Sequence, residues 1–418
     1  MLWTFLACTP QTPDVPVSPS APARADVVLI VVDTLRADAL GFMGQARPTS
    51  PNLDALAERS AWYPRAYAAS AWTLPSTATL LTGAPPWVHR VVADPSTKDF
   101  GRLDAEVPVI AEFFKGQGYR TAAWVTNAFL APEFGLDRGF DVYDYQGADV
   151  LGHRTARQTV DAALAWLQAE EQPSFLLVHV MEPHLDYEPE GPHTGAFTQD
   201  LESGLALPLG DVRHAWMDRK AVPSVEDQAF VRAAYLEEVR ATDDALGVLL
   251  EGLDDTTRLV VTSDHGEEFW DFGGFEHGHS TKSPVGRVPL ILSGPEVSSG
   301  RQEGVVDATA VAAFLTSGQL PPTGAAVVDG TVYGAPQVSY VTADQSLELD
   351  LSAGQAALWT LDDGVEQVTV SDEALQQRLV GELMQRRGHL EPVAPANPIE
   401  QVDGDILGKL KALGYVEN

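Results

Sequence analysis

Two short apolar runs that end on acids constrain this chain more than any other feature. Residues 26–33, DVVLIVVD, and 258–264, RLVVTSD, are rich in β-branched residues and scarcely alternate with polar ones. That pattern marks strands buried on both faces, as in a parallel sheet. A sheet covered by helices on both sides places its chemistry at the carboxyl ends of its strands. Asp33 and Asp264 stand at those ends, and His265 adds an imidazole beside the second carboxylate. Hard oxygens and a ring nitrogen together make a metal-site composition. An Asp-His pair alone reads as well as an exposed loop, and the acid at a distant strand end is what turns it into a site.

The remaining elements follow from periodicity. TLRADALGFMG after Asp33 reads as a loop and a short helix, and Ser50 and Pro51 cap and open a helix with Leu53, Leu56 and Ala57 on one face. Helical spacing recurs in LDAEVPVIAEFFKGQGY, in 155–171 with Val160, Ala163, Leu164 and Leu167 on a stripe, and from Val225 to Leu253. RTAAWVT and SFLLVHV read as strands; GAPPWVHRVV and GLDRGFDVYDYQ read as loops; 186–223 carries no periodicity. VVDATAVAAFL is a core helix, 325–371 alternates short β-prone runs with turns as a small antiparallel sheet does, and DEALQQRLVGELMQRR packs on it.

In order along the chain, VVDTLRAD, SPNLDALA, WTLPSTATLLTG, VMEPH, TSDHGEEF with EHGHS, and RVPLILSGP resemble the motifs of the sulfatase branch of the alkaline phosphatase superfamily. LKALGYV near the end is similar to the closing segment of many bacterial members. The resemblance implies an α/β fold: an alkaline-phosphatase-like doubly wound, mostly parallel sheet between helices, with a small C-terminal α+β subdomain. It divides the chain into a leading segment and tether over 1–25, a catalytic domain over 26–320 and the subdomain over 321–418.

True sulfatases of this family carry Cys or Ser in a C/S-x-P-x-R motif, matured to formylglycine. The matching stretch here is Thr73-Leu74-Pro75-Ser76-Thr77. Threonine cannot become that aldehyde, and Thr77 stands where an arginine would steady the sulfate. A threonine ester lacks the aldehyde exit and has to be cleaved by water, an attack that phosphorus tolerates readily. Members with Thr or Ser at this place are phosphodiesterases, phosphomonoesterases and phosphoethanolamine or glycerophosphate transferases. The expectation is a metal-dependent hydrolase, or a phosphotransferase, acting on phosphate mono- or diesters with Thr73 as nucleophile. A sulfuric-ester hydrolase that works without formylglycine stays open, as does a surface-tethered binding protein that has lost turnover.

Asp33, Thr73, Asp264 and His265 together offer three oxygens and a nitrogen, which suits Mn²⁺ or Zn²⁺ better than Ca²⁺. Relatives that keep calcium show a second Asp where this chain has Thr34, so calcium is the weaker alternative. By the same resemblance His184, in EPHLDYEP, and His277 contact the transferred group or protonate the leaving oxygen. His279 and Asp186 are further candidates, for substrate contact or, with His184 and His277, for a second metal. His89 reads as a substrate contact or as an exposed loop histidine. Glu267 and Glu268 read as solvated, or as supports for the ligands.

MLWTFLAC at the start ends on Cys8 and leads into a Pro- and Ser-rich stretch. The run is too short to span a bilayer and no basic residue precedes it. Leu-Ala-Cys before a polar tether is nevertheless similar to a bacterial lipoprotein processing site. The expectation is an exported protein, periplasmic or held at the cell surface by a lipid on Cys8; a plain tail with an incidental cysteine is the other reading. One cysteine permits no intrachain disulfide. The net charge of −32 opposes nucleic acid and long polyanions as partners and leaves a small anionic ester as substrate.

Overall fold

The computed structural model describes residues 25–412, except 95, 96, 98, 146–153, 170, 190, 211, 218, 400 and 401. The leading segment with Cys8 therefore lies outside the described residues.

Strands β1 (Val27–Val32), β2 (Ala61–Trp62), β3 (Arg120–Trp124), β4 (Val142–Asp144), β5 (Ser174–Val180), β6 (Arg258–Thr262), β7 (Leu290–Ser293) and β8 (Gly300–Arg301) form one sheet. Their order is β8-β2-β7-β6-β1-β5-β3-β4. β6, β1, β5, β3 and β4 run parallel, whereas β7 is antiparallel to both of its neighbours.

Helices α1 (Pro51–Glu58), α2 (Thr73–Thr82), α3 (Ala156–Leu167), α4 (Val225–Glu251) and α5 (Ala310–Ser317) cover this sheet on both sides. β1 shows why its sequence does not alternate. Val27, Leu29 and Val31 pack with Leu74 and Leu81 of α2 and Phe314 of α5. Val28, Ile30 and Val32 pack on the opposite face with Leu53 of α1, Val160 of α3 and Leu246 of α4. Successive side chains of a strand point to opposite faces, so both faces must be apolar here. Each buried Val, Leu or Ile contributes about 1.5–3 kcal/mol.

Beyond this sheet, β9 (Ala326–Asp329), β10 (Gln337–Val341), β11 (Gln345–Asp350), β12 (Ala356–Asp362) and β13 (Val365–Thr369) form an antiparallel sheet in chain order. Helix α6 (Glu373–Arg387) lays Leu379 and Leu383 on Val338, Leu347 and Leu358. Its last residue, Arg387, closes the subdomain through a buried ion pair with Asp329 at 2.7 Å. The architecture is the α/β sheet with a small α+β appendage that the resemblance implied. Among the described residues no helix is long and apolar enough to cross a membrane.

Three local expectations differ from the fold. Part of GLDRGFDVYDYQ, read as a loop, forms the edge strand β4, with Val142 opposite Ala122 and Asp144 opposite Trp124. Val142 is exposed, so the stretch lacks the apolar signal of a central strand. Residues Pro86–His89, also read as loop, make one helical turn. Ser50 stands at the N-cap of α1 but its side chain does not cap the helix.

Candidate active site

Strands β1 and β6 are hydrogen-bonded neighbours, so their ends deliver Asp33 and Asp264 side by side. The Asp33 N–H is held by Val180 O at 3.0 Å, and Leu35 N–H donates to Ser263 Oγ at 3.0 Å, which locks the two strand ends together. Thr34 turns the chain sharply with φ +54°, a conformation that β-branched residues rarely adopt, and Tyr235 Oη donates to its carbonyl at 3.0 Å. Asp33, Asp264 and His265 are all buried. His265 Nε2 lies 3.6 Å from Asp33 Oδ1 and 3.6 Å from Asp264 Oδ2. Burial, and then the Asp264 charge, push the Asp33 carboxyl well above the usual carboxylate range.

Thr73 opens α2, whose C-terminus is closed by Gly83 in the left-handed conformation at φ +69°. Thr73 Oγ1 is 3.3 Å from His265 Nε2. Asn127 joins the group from the loop after β3: its Nδ2 donates to Asp33 Oδ2 at 2.6 Å and reaches Thr73 Oγ1 at 3.5 Å. Its Oδ1 accepts the Phe129 N–H at 2.9 Å, which fixes the orientation of the amide.

After His265 the chain makes a hairpin in which Glu268–Phe269 pairs with Phe275–Glu276. The hairpin returns His277 onto His265, ring centroids 4.3 Å apart, and His184 meets His277 edge-on at 5.0 Å. His277 Nδ1 lies 2.9 Å from Glu267 Oε1. Burial, then the charges of Glu276 and Asp33, raise the Glu267 carboxyl well above its usual range. Burial, then the charges of its imidazole neighbours, hold His277 well below the usual imidazole value. A single proton between the two satisfies both.

Six of the residues singled out in the sequence thus converge: Asp33, Thr73, His184, Asp264, His265 and His277. The other three do not join them. His279 Nε2 is taken by Glu268 Oε2 at 2.9 Å, and Asp186 faces Arg213 at 3.5 Å. His89 is fully buried behind α2, bonded to Thr79 Oγ1 at 3.1 Å and Pro75 O at 3.2 Å, and burial pushes its pKa down to about 3. It is neither an exposed histidine nor open to substrate; it braces the helix that carries Thr73. Glu267 and Glu268 are buried and bonded to histidines rather than solvated.

A family model described as Sulfatase matches residues 25–325. The chain belongs to the sulfatase family. Among its relatives, the ulvan-active sulfatase of Formosa agariphila is 27% identical over 72% of this chain and 62% of its own length. Human iduronate 2-sulfatase is 26% identical over 65% of this chain and 60% of its own. The chain thus spans about three fifths of the length of these curated relatives. The crystal structure of the phosphonate monoester hydrolase of Agrobacterium radiobacter shares the fold, with a TM-score of 0.70 at 19% identity, covering 88% of this chain and 96% of that one.

Sulfatase-family enzymes are metal-dependent, and the interior of this family member fits a cation. Among the described residues, Asp33, His179 and Asp264 each bring one ligand atom within 4.8 Å of the others. Asp33 Oδ1 and Asp264 Oδ2 are buried without a hydrogen-bond partner among those residues. Buried carboxylates are stable when paired or when they hold a metal. His184, Asp186, His277 and His279 are not drawn into a comparable set among the described residues, since acids or Arg213 engage three of the four.

Sequence reasoning passed over His179, Asn127 and the partnership of Glu267 with His277. His179 did leave a signal, an imidazole inside the otherwise apolar strand SFLLVHV. Asn127 left none, because short polar loops contain such residues routinely, whereas Glu267 stood beside the Asp264-His265 motif as a possible support without its partner being identified.

Proposed function

We propose that the chain is a divalent-metal-dependent hydrolase of phosphate mono- or diesters with Thr73 as its nucleophile. Thr73 carries this reading: it is buried, its Oγ1 lies 3.3 Å from His265 Nε2, and Thr77 offers no cation at the place where formylglycine enzymes have arginine. Asp33, Asp264 and His265 would hold Mn²⁺ or Zn²⁺, whose charge lowers the pKa of a nearby hydroxyl and polarises an ester oxygen. Thr73 Oγ1 gives up its proton to solvent and attacks phosphorus, the bond from phosphorus to the alcohol oxygen breaks, and His277 gives that oxygen a proton from one ring nitrogen while its Nδ1 takes one from the Glu267 carboxyl. His184 stands beside His277 to contact the same ester. Water then gives a proton back to His277, and through it to Glu267, as its oxygen displaces Thr73 Oγ1 from phosphorus; phosphate or its monoester leaves and the threonine oxygen regains a proton from solvent. The amino end of α2 supports the anion through its first-turn N–H groups and the positive end of the helix dipole.

The test is mass spectrometry of acid-quenched protein after brief exposure to a fast aryl phosphate. One added phosphoryl group on the peptide containing Thr73 is expected, and Thr73→Ala should lose turnover while keeping its fold; full activity in Thr73→Ala overturns the assignment. Sulfuric-ester hydrolysis is the second reading, favoured by the sulfatases among the curated relatives. Parallel assays on aryl phosphate, phosphodiester, phosphonate and sulfate esters separate the two, and sulfate turnover without phosphate turnover would select the second. Export with a lipid on Cys8 is also proposed; lipid labelling that is unchanged in Cys8→Ser would reject it.

A further inference from the structure

His179 sits on β5 opposite Val31 of β1, fully buried, with its carbonyl fixed by Thr126 Oγ1 at 3.1 Å. Among the described residues neither ring nitrogen has a hydrogen-bond partner. A neutral imidazole has one N–H donor and one acceptor nitrogen, and leaving them unmet in an interior is costly. The near acceptor is Asp33 Oδ2, 3.7 Å from Nε2 and beyond hydrogen-bond reach, and Asn127 already donates to that oxygen at 2.6 Å.

The spacing has another explanation. Two atoms bound at about 2.0–2.2 Å to one tetrahedral ion stand about 3.4 Å apart. The distances from His179 Nε2 to Asp33, and from His265 Nε2 to Asp33 and Asp264, are 3.7, 3.6 and 3.6 Å. These are too long for hydrogen bonds and close to the edge of a coordination shell. His179, Asp33 and Asp264 also place one ligand atom each within 4.8 Å of the others, and the two carboxylates each keep an oxygen without a partner among the described residues.

We infer that His179 is a direct ligand of the divalent cation, so that the ion is held by two imidazoles and two carboxylates. The inference rests on the metal-centre reading above and goes beyond it, because it adds a ligand from a strand that the motifs at Asp33 and Asp264 do not include. Two ring nitrogens favour Zn²⁺, Co²⁺ or Mn²⁺ over Ca²⁺, which takes oxygen ligands.

The test uses the full chain, stripped with a chelator and reloaded. X-ray absorption on the Zn²⁺-loaded unmodified protein counts imidazole ligands: two are expected, and one overturns the inference. In Co²⁺ titrations, His179→Ala and His179→Gln should each weaken binding by at least 10-fold and change the visible absorption of the bound ion, with circular dichroism reporting the fold. Unchanged affinity and spectrum in either folded variant counts against His179 as a ligand. Asp264→Asn separates the two levels of failure. If it too leaves Co²⁺ binding untouched, the metal centre itself is wrong; if it abolishes binding while the His179 variants do not, only the added ligand is wrong.

Discussion

His277 Nδ1 and Glu267 Oε1 lie 2.9 Å apart in the interior, and Tyr187 Oη donates to the second oxygen of the same carboxylate at 3.3 Å. Glu267 is also held through its backbone, where its carbonyl accepts from Arg36 Nη1 at 2.8 Å. The imidazole is therefore oriented by a group that is itself fixed twice. Glu267→Ala frees the ring and removes control over which nitrogen carries the proton. With general acid–base catalysis worth about 10²–10⁴-fold, a fall in kcat of about 100-fold is expected, with KM and metal content little changed. Glu267→Gln should recover part of the loss. Steady-state kinetics with elemental analysis checks this, and an unaltered kcat in Glu267→Ala would show that His277 needs no such support.

Gly266 follows His265, and its N–H donates to Val285 O at 2.7 Å, while the His265 ring turns Nδ1 toward Gly266 O at 3.0 Å. A Cβ at Gly266 would stand 2.2 Å from the backbone oxygen of Pro284. Backbone cannot yield as a side chain does, so Gly266→Ala should push the segment off Pro284 and rotate His265 with it. Overpacking of this kind costs about 1–3 kcal/mol. The variant should melt lower than the parent and gain less from added Zn²⁺. Gly116→Ala, which meets nothing within 4 Å, serves as the control in the same melts.

Glu276 is buried with its backbone at φ +66°, and its Oε1 has no hydrogen-bond partner among the described residues. Burial pushes its carboxyl from the ordinary 4.5 up to about 8, against the pull of Arg213. The folded state thus binds this proton more tightly than the unfolded chain does. Its contribution to stability is full below about 4.5 and is lost as pH rises through about 8. Glu276→Gln should remove that slope and leave the variant more stable than the parent above pH 8, by an amount on the order of a few kcal/mol. Thermal melts of both proteins across this window decide it; parallel curves would mean that Glu276 does not carry the proton.

What could be read in advance follows a physical division. β1 and β6 were legible because burial on both faces forces an unbroken apolar run, and Asp33 and Asp264 because an acid ending such a run contradicts its own surroundings. Thr73, His184, His265 and His277 were legible through spaced motifs. His179 and Asn127 were not, since their roles come from partners far along the chain, as Asn127 meets Asp33 across 94 residues; Glu267 was legible as a support for the ligands, but its contact with Tyr187, 80 residues away, was not. β4 was hidden for a different reason, because an edge strand with an exposed Val142 needs no apolar pattern.

The cap of α1 is a long-range feature of the same kind, and it yields the last prediction. Ser50 has the residue type and position of an N-cap, yet its hydroxyl accepts the Gly41 N–H at 2.8 Å and donates to Asp54 Oδ1 at 2.9 Å. The first-turn N–H groups of Asn52 and Leu53 go instead to Asp243 on α4, each at 2.9 Å, and Arg240 flanks that carboxylate at 3.4 Å. Burial pushes Asp243 up to about 6, so at pH 7.5 it is ionised and at its strongest as an acceptor. Asp243→Ala strands two N–H groups at a helix end, at about 1–3 kcal/mol for each that is kept from water. Ser50→Ala strands the Gly41 N–H, at the partly exposed rim, and takes one donor from Asp54 Oδ1, which keeps the Phe42 N–H at 2.9 Å, and should cost about 1 kcal/mol. Asp243→Asn keeps one acceptor oxygen and should fall between them. Urea melts at pH 7.5 rank the three, and a Ser50→Ala loss equal to that of Asp243→Ala would return the cap to the local serine.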